Sequence, residues 1–347
     1  MTTHVFAAMS GGVDSAVCAY LLLQKGYTCT GATMRLCGVQ CMGEDNVRDA
    51  KAVADRLGIP FVAFDMTDAF ARNVIAPFVR VYENGGTPNP CINCNAHLKF
   101  GALLDCALQA GATHIATGHY ARVGFENGRY VLKKAKDEAK DQSYVLYTLT
   151  QEQLSRTLFP LGELTKDEVR EIARAQSFAS ANKPESQDIC FIPDGDYAAF
   201  ISRFSGKTYP AGDFVDTEGN VLGTHGGIIR YTVGQRRGLG LALPEPYYVC
   251  KKDVQNNRVV LCTKAQLPTK ELVARDFNWI SIPCPDAPIR ATVRTRYHQK
   301  EQLATLAVLE DGRVRVTFDE PKTAAAPGQA VVAYDSEYVL GGGEIVE

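Results

Sequence analysis

The sequence contains no run of about 18 uninterrupted apolar residues, which excludes a helix long enough to cross a membrane. No basic segment precedes an apolar stretch at the N-terminus, where Gly11 and Gly12 soon break the first apolar run. A secretory signal is therefore not expected. Internal repeats and low-complexity segments are also absent. We expect a cytoplasmic protein with no membrane partner.

An excess of charge is missing as well, because the formal net charge is −2. The chain as a whole therefore lacks the basic surplus that is typical of a nucleic-acid-binding protein. Residues 207–269 are the exception, with 8 Lys and Arg against 5 Asp and Glu, which weakly indicates a polyanionic partner. The 11 cysteines are an odd number without an export signal. They favour a reducing compartment, where thiols act as metal ligands, catalysts or core residues.

Short apolar strands alternate with helices up to about residue 206, which predicts an α/β domain with a parallel sheet covered on both faces. Thr165 and Glu168 predict a capping box at the start of a charged helix. Beyond residue 207 the pattern changes to short strands with turn residues between them. The sequence thus predicts a catalytic domain over 1–206, a central β domain over 207–269 and a C-terminal β domain over 270–347. The expected strands of the first domain span residues 4–9, 27–34, 61–64 and 114–117, and its helices span 16–24, 46–57, 100–110 and 165–176.

The sharpest motif is Ser10-Gly11-Gly12-Val13-Asp14-Ser15, between a strand and a helix. Adjacent glycines let the backbone turn tightly, and the first amides of the helix then form an anion site. Asp14 would repel a phosphate unless a Mg²⁺ ion lies between them, so it suggests a divalent ion. The Gly-Lys-Ser/Thr ending of the common phosphate loop is missing. The alternative is a glycine turn that only links strand and helix.

Cys91 and Cys94 form a Cys-x-x-Cys pair after two prolines, which predicts a stiff loop rather than a helix interior. We expect an exposed thiolate there and at Cys190. Two distant sulfurs suit persulfide transfer, in which one releases its sulfur by forming a disulfide with the other. Zinc, redox exchange and an iron–sulfur cluster remain alternatives, with Cys37, Cys41 and His97 as further candidate ligands. The remaining cysteines with apolar neighbours are expected to be buried: Cys18, Cys29, Cys106, Cys250 and Cys262.

Several long motifs occur in one order along nearly the whole chain. Together they resemble the bacterial tRNA-specific 2-thiouridylases of the MnmA or TrmU type, in the N-type ATP pyrophosphatase (PP-loop) superfamily. The resemblance implies a PP-loop domain, a tRNA-binding central β unit and a C-terminal β-barrel. It also implies ATP with Mg²⁺, adenylation of the C2 oxygen of the wobble uridine of Lys, Glu and Gln tRNAs, and sulfur transfer from a cysteine persulfide. The motifs span residues 10–15, 89–95, 116–121, 140–144, 186–191, 231–240 and 327–329.

By the same resemblance, Cys94 is the nucleophile and Cys190 the persulfide carrier. Asn89, Pro90 and Cys91 would face the target base. The residues implied in ATP binding are Ala8, Met9, Ser10, Gly11, Gly12, Val13, Asp14, Ser15, Met34 and Gly118. Those implied in tRNA contact are His119, Lys140, Asp141, Gln142, Arg296, Tyr297 and Gln329, and the charge of Arg230, Arg236 and Arg237 suits tRNA phosphates.

Position 91 departs from the pattern, because many family members have aspartate there and this chain has cysteine. Cys91, Cys94 and Cys190 could then hold an iron–sulfur cluster, which is a further hypothesis. From the residues alone, His119 is better explained as a structural histidine. The expected partners are tRNA and a persulfide-carrying donor protein, with the enzyme a monomer. The competing functions are another adenylating PP-loop enzyme that modifies tRNA and a non-catalytic tRNA-binding module.

Overall fold

The computed structural model describes residues 3–36, 44–182, 189–323 and 325–346. Its strands are β1 (His4–Ala8), β2 (Thr28–Arg35), β3 (Phe61–Asp65), β4 (His114–Ala116), β5 (Arg122–Glu126), β6 (Arg129–Lys133), β7 (Thr157–Leu158), β8 (Gly212–Val215), β9 (Val221–His225), β10 (Tyr247–Asp253), β11 (Arg258–Thr263), β12 (Pro268–Trp279), β13 (Ile289–Arg294), β14 (Gln302–Val308), β15 (Val314–Thr323), β16 (Ala330–Asp335) and β17 (Tyr338–Ile345). Its α-helices are α1 (Val13–Gln24), α2 (Glu44–Leu57), α3 (Thr67–Phe70), α4 (Ala76–Glu83), α5 (Pro90–Asn93), α6 (Leu103–Gln109), α7 (Gln151–Ser155), α8 (Lys166–Ala175) and α9 (Tyr197–Ser205). Wider π-helical turns cover Ala71–Ile75 and Cys94–Ala102.

The first sheet is parallel, with the strand order β3-β2-β1-β4-β7. Its central strand β1 is a continuous apolar run because side chains on both of its faces are buried. Phe6 contributes to one hydrophobic core and Val5 and Ala7 to another. The two cores lie on opposite faces, since neighbouring residues of a strand point to opposite sides. The predicted parallel sheet covered on both faces is therefore confirmed.

The direction in which successive strands are added to this parallel sheet reverses between β1 and β4. From β1 the chain proceeds outward through β2 to β3, and it then returns to place β4 on the other side of β1. At such a switch point the loops that follow the two strands diverge and leave a crevice at the carboxyl edge of the sheet. The segment from Met9 to Gly12 leaves β1 at this place.

The two later β units are separate sheets. The central one has the order β10-β11-β8-β9 around Phe214, Val249 and Val259. The C-terminal one runs β12-β15-β14-β13-β16-β17 and closes by pairing β12 with β17, which makes the expected barrel. The hairpin β5–β6 of the first domain extends this sheet, since Lys133 pairs with Tyr338. No sequence signal predicted that extension.

The predicted capping box of helix α8 is confirmed, because the Glu168 amide donates to Thr165 Oγ1 at 3.3 Å and the Thr165 amide to Glu168 Oε2 at 2.6 Å. The predicted stiff loop around the Cys-x-x-Cys pair is wrong. Cys91 lies in the short helix α5, which continues into the π-helical segment Cys94–Ala102. Pro90 is the first residue of α5, where a missing N–H costs nothing. Within the ranges that the structure describes, no helix is long and apolar enough to span a membrane.

Candidate functional site

The glycine loop after β1 turns directly into helix α1. Gly11 has a φ of +77°, and a Cβ there would lie 2.8 Å from Asp49 Cβ, so only glycine fits without strain. Gly12 has extended backbone and caps α1 without a side chain, which leaves the first amides of the helix available to an anion. Ser15 Oγ donates to the Gly12 carbonyl at 2.9 Å and accepts from the Ser10 amide at 3.2 Å. These hydrogen bonds hold the loop in a defined conformation at the N-terminal end of α1.

The residues expected to bind ATP lie along one edge of the sheet. Ala8 ends β1 beside Ala32 of β2, and Met34 lies two residues further along β2. Gly118 follows β4 and packs against the start of α1, where a Cβ on it would lie 2.9 Å from the Ser15 amide nitrogen. Met9 and Val13, on either side of Ser10–Gly12, are buried. This arrangement matches an adenine nucleotide laid across the switch point of an α/β sheet.

Asp14 already has a positive partner in the structure. Lys166 Nζ donates to its two carboxylate oxygens at 2.7 and 2.8 Å, and the Tyr120 hydroxyl donates to Oδ1 at 2.9 Å. An ammonium therefore balances the charge of Asp14 in this structure. The divalent ion that the sequence suggested between Asp14 and a phosphate stays a prediction. Sequence reasoning missed both partners. The capping box placed Lys166 at the start of α8, but nothing local connects it with a loop 152 residues earlier.

His119 lies just behind the loop, between two aromatic rings and a lysine. Its Nδ1 is 2.7 Å from Thr117 Oγ1, and Lys99 Nζ donates to its Nε2 at 3.4 Å. Burial, reinforced by the charge of Lys99, holds the pKa of His119 well below its usual value, so the ring is neutral. The side chain is only 7% exposed. Both ring nitrogens of His119 have a hydrogen-bond partner in this structure. The residue thus has the contacts of a structural histidine, which the residues alone favoured.

The three candidate cysteines lie close enough to affect each other's ionisation. Cys91 and Cys190 are exposed and Cys94 is half-buried. Burial and the charges of Cys94 and Cys91 raise the pKa of the Cys190 thiol to about 12, while Lys99 lowers it. Burial also raises the pKa of Cys91 and Cys94, again against an opposing effect of Lys99. The expected thiolates are thus disfavoured in the free protein, and Lys99 is the cation that opposes this effect.

A metal centre is not formed by these thiols. In the four described ranges, no group of three Cys, His, Asp or Glu side chains is placed to hold a metal ion. The described residues therefore give no support to the iron–sulfur site suggested for Cys91, Cys94 and Cys190. Cys37 and Cys41 lie outside the described residues, as do Ser186, Gln187 and Asp188. The described cysteines are free thiols; Cys18, Cys29 and Cys262 are buried as expected, whereas Cys106 and Cys250 are only partly buried.

The segment Lys140–Gln142, expected to contact tRNA, connects parts of the protein. Asp141 is 5% exposed, and its Oδ2 accepts from Arg294 of the barrel at 3.1 Å. Two hydrogen bonds join Gln142 to Tyr120. The Tyr120 amide donates to Gln142 Oε1 at 3.0 Å, and the Gln142 amide donates to the Tyr120 carbonyl at 2.9 Å. Lys140 is half-buried. The segment therefore connects the barrel with the tyrosine that holds Asp14.

The remaining residues expected to contact tRNA or the target base lie in several parts of the fold. Asn89 caps α5, its Oδ1 accepting from the Cys91 amide at 3.2 Å. Gln329 Nε2 donates to the Thr87 carbonyl at 2.8 Å. Arg296 Nη2 donates to the Val233 carbonyl at 2.8 Å. Burial raises the pKa of the Tyr297 phenol to about 12, with contributions from Asp141 and Cys91, so this barrel residue lies near the cysteine helix. Arg230, Arg236 and Arg237 are exposed on the central unit.

Lys99 connects the two halves of the site. Its charge acts on the three thiols, and its ammonium reaches His119. His119 directly follows Gly118, which packs on the start of α1 at the glycine loop. Lys99 and His119 therefore connect the glycine loop with the three candidate thiols.

Three family models match consecutive parts of the chain. A model described as tRNA methyl transferase HUP domain matches residues 3–194. One described as tRNA methyl transferase PRC-barrel domain matches residues 198–263, and one described as aminomethyltransferase beta-barrel domain matches residues 269–345.

Curated relatives match over nearly their full length. The tRNA-specific 2-thiouridylase MnmA of Acetivibrio thermocellus is 47% identical over 98% of this chain and 98% of its own. The protein of the same name from Syntrophotalea carbinolica is 48% identical over 99% of this chain and 98% of its own. Among solved structures, NMN synthetase from Francisella tularensis matches with a TM-score of 0.36 and 17% identity, over 59% of this chain and 78% of that chain. So low a TM-score supports no argument about function.

Proposed function

Because this chain belongs to the family of tRNA-specific 2-thiouridylases, we propose that it catalyses the ATP-dependent 2-thiolation of the wobble uridine of tRNA. The observation that carries this proposal is the position of Lys99 between the two halves of the site. Its ammonium donates to His119, which follows Gly118 at the glycine loop, and its charge opposes the raised pKa of Cys94 and Cys190. One reaction needs both halves of this site: activation of a poorly reactive carbonyl by ATP, and attack by sulfur.

The glycine loop would bind the phosphates of ATP through the first amides of α1 and the hydroxyl of Ser10. The C2 oxygen of the uridine attacks the α-phosphorus, and pyrophosphate leaves. Asp14 fits a Mg²⁺ ion that is shared with the phosphates, since its side chain is 33% exposed and Lys166 and Tyr120 do not occupy every lone pair. Such an ion would neutralise the charge that develops on the leaving pyrophosphate. The described residues give no support to an iron–sulfur cluster, so no step is assigned to one.

Sulfur transfer would then proceed between the two cysteines. The terminal sulfur of a Cys190 persulfide attacks C2, and AMP departs with the former C2 oxygen. The Cys94 thiolate attacks Sγ of Cys190, the sulfur–sulfur bond breaks, and the terminal sulfur remains on C2 as the thiocarbonyl. The resulting Cys94–Cys190 disulfide is reduced by an external dithiol before the next turnover. Lys99 favours the thiolate state that this sequence needs.

The base has to leave the anticodon stack to reach both halves of the site, as base-modifying enzymes require. We assign Asn89, Pro90 and Cys91 to the target base and the exposed Arg230, Arg236 and Arg237 to tRNA phosphates. The proposed partners are tRNA of the Lys, Glu and Gln type and a donor protein that loads Cys190 with sulfur. We propose that the enzyme acts as a monomer in the cytoplasm.

The test is mass spectrometry of tRNA nucleosides after incubation with ATP and a sulfur donor, combined with measurement of pyrophosphate. We expect 2-thiouridine from the unsubstituted enzyme and none from Cys94→Ser or Cys190→Ser. The matched control is Cys284→Ser, which removes an exposed thiol outside the site and is expected to retain full activity. Full thiolation by a variant lacking both Cys94 and Cys190 would refute the mechanism. Pyrophosphate release with unmodified uridine by every variant would favour another adenylating enzyme, and no pyrophosphate release would favour a binding module.

A further inference from the structure

A buried lysine of the central unit lies against the segment that leads into the cysteine helix. Lys252 of β10 is 8% exposed. Its Nζ donates to the Tyr231 carbonyl at 2.8 Å and to the Gly86 carbonyl at 3.3 Å. The ring of Tyr82 lies 5.6 Å from the ammonium.

This lysine is held by carbonyls rather than by a carboxylate. Across the described ranges, no Asp or Glu forms an ion pair with it, and burial lowers its pKa to about 8. A buried ammonium is costly unless its donors are satisfied. The carbonyl of Gly86 is therefore one of two acceptors that keep Lys252 in place, and Lys252 in turn fixes the position of Gly86.

The barrel holds the next residue of the same segment. Gln329 Nε2 donates to the Thr87 carbonyl, and the Thr87 amide donates to the Pro327 carbonyl, each at 2.8 Å. Residues 86–87 are thus held from the central unit on one side and from the barrel on the other. Pro90 begins α5 three residues later, and Cys91 and Cys94 follow on its first turn and just beyond.

We propose that Lys252 is a positioning residue for sulfur transfer, which acts by fixing Gly86 and thereby the start of the helix that carries Cys94. This inference rests on the proposed function. Sulfur has to reach C2 while the uridine is adenylated. If the helix is displaced, water can attack C2 first; the water oxygen bonds to C2, AMP leaves, a proton is released and uridine is restored. ATP is then consumed without sulfur incorporation.

The test is the ratio of 2-thiouridine formed to pyrophosphate released, in a single turnover of persulfide-loaded enzyme with tRNA. This ratio does not depend on the fraction of folded enzyme, so a loss of stability alone leaves it unchanged. We expect a ratio near that of the unsubstituted enzyme for Lys251→Met, which removes the exposed neighbouring lysine. For Lys252→Met we expect the ratio to fall about threefold or more, which is the effect of losing the hydrogen bond to Gly86.

An unchanged ratio in Lys252→Met, even with a slower reaction, would overturn the inference. If that variant does not fold, Lys252→Gln retains an N–H donor on a shorter side chain and is expected to lower the ratio less, in the same direction; an unchanged ratio there overturns the inference equally. A failure of the proposed function is distinguishable, because the unsubstituted enzyme would then form no 2-thiouridine at all.

Discussion

Replacing Lys166 with methionine tests whether the ammonium is what makes Asp14 tolerable beside the glycine loop. The substitution keeps most of the apolar stem and removes the only group that bonds both Asp14 oxygens within the described contacts. After it, Asp14 retains the hydrogen bond from Tyr120. The expected result is a less stable nucleotide domain, because a carboxylate is left without its counter-charge.

The magnitude follows from how exposed each partner is. Removing one member of a fully buried ion pair costs about 3–5 kcal/mol. The Asp14 side chain is 33% exposed and Lys166 is 7% exposed. Water therefore partly screens the Asp14 carboxylate in the Lys166→Met variant, and we expect this substitution to lower the free energy of unfolding by about 1–2 kcal/mol. Asp14→Asn removes the carboxylate that faces the more deeply buried ammonium and should cost about 2–3 kcal/mol.

The assay is thermal and urea unfolding of the two single variants and the double variant Asp14→Asn/Lys166→Met. The double variant buries no uncompensated charge, so we expect a coupling energy of about 2 kcal/mol. Lys166→Met alone should lower the melting temperature by about 2–8 °C. The control is Lys25→Met at the other end of α1, where an exposed charge is removed. Additive effects of the two single substitutions would refute the reasoning.

Three further predictions concern the same site. Burial and the charges of the neighbouring cysteines raise the pKa of Cys190 to about 12. The rate of Cys190 alkylation in the free enzyme should therefore increase about tenfold per pH unit from about pH 7 to 9.5. A plateau of this rate near pH 8.5, measured by mass spectrometry of the labelled peptide, would contradict the prediction. Burial holds the pKa of folded His119 well below its unfolded value of 6.5. Only the unfolded chain then gains a proton there, so the free energy of unfolding falls as the pH drops below about 6.5. His119→Gln should weaken this pH dependence in urea unfolding, and an unchanged slope of the free energy of unfolding against pH would count against the prediction. A Cβ at Gly118 would lie 2.8 Å from the Asp14 carbonyl carbon, so Gly118→Ala should raise the KM for ATP about tenfold or more. The control is Gly226→Ala, where a Cβ meets nothing within 4 Å. An equal KM for ATP in both variants would show that the close packing of Gly118 on α1 is unimportant.

Features that depend on a few neighbouring residues could be predicted from the sequence. The glycine loop follows from Gly11 and Gly12, because the turn between β1 and α1 needs the conformation that they allow. The capping box follows from Thr165 and Glu168, which satisfy each other's amides. The prediction for the Cys-x-x-Cys pair failed although it was also local. A proline inside a helix breaks it, but Pro90 is the first helical residue and interrupts no hydrogen bond.

The sequence by itself determined the alternation of strands and helices, the anion-binding loop and the thiols available for chemistry. The tertiary structure alone decided which distant groups meet at the loop and the thiols. Lys166 reaches Asp14 across 152 positions, and Arg294 reaches the buried Asp141 across 153. The charge of Lys99 acts on Cys94 and Cys190 together, although the two cysteines are 96 positions apart. Local patterns encode backbone conformation through contacts a few residues apart, whereas charge balance and ionisation depend on whatever the fold packs nearby.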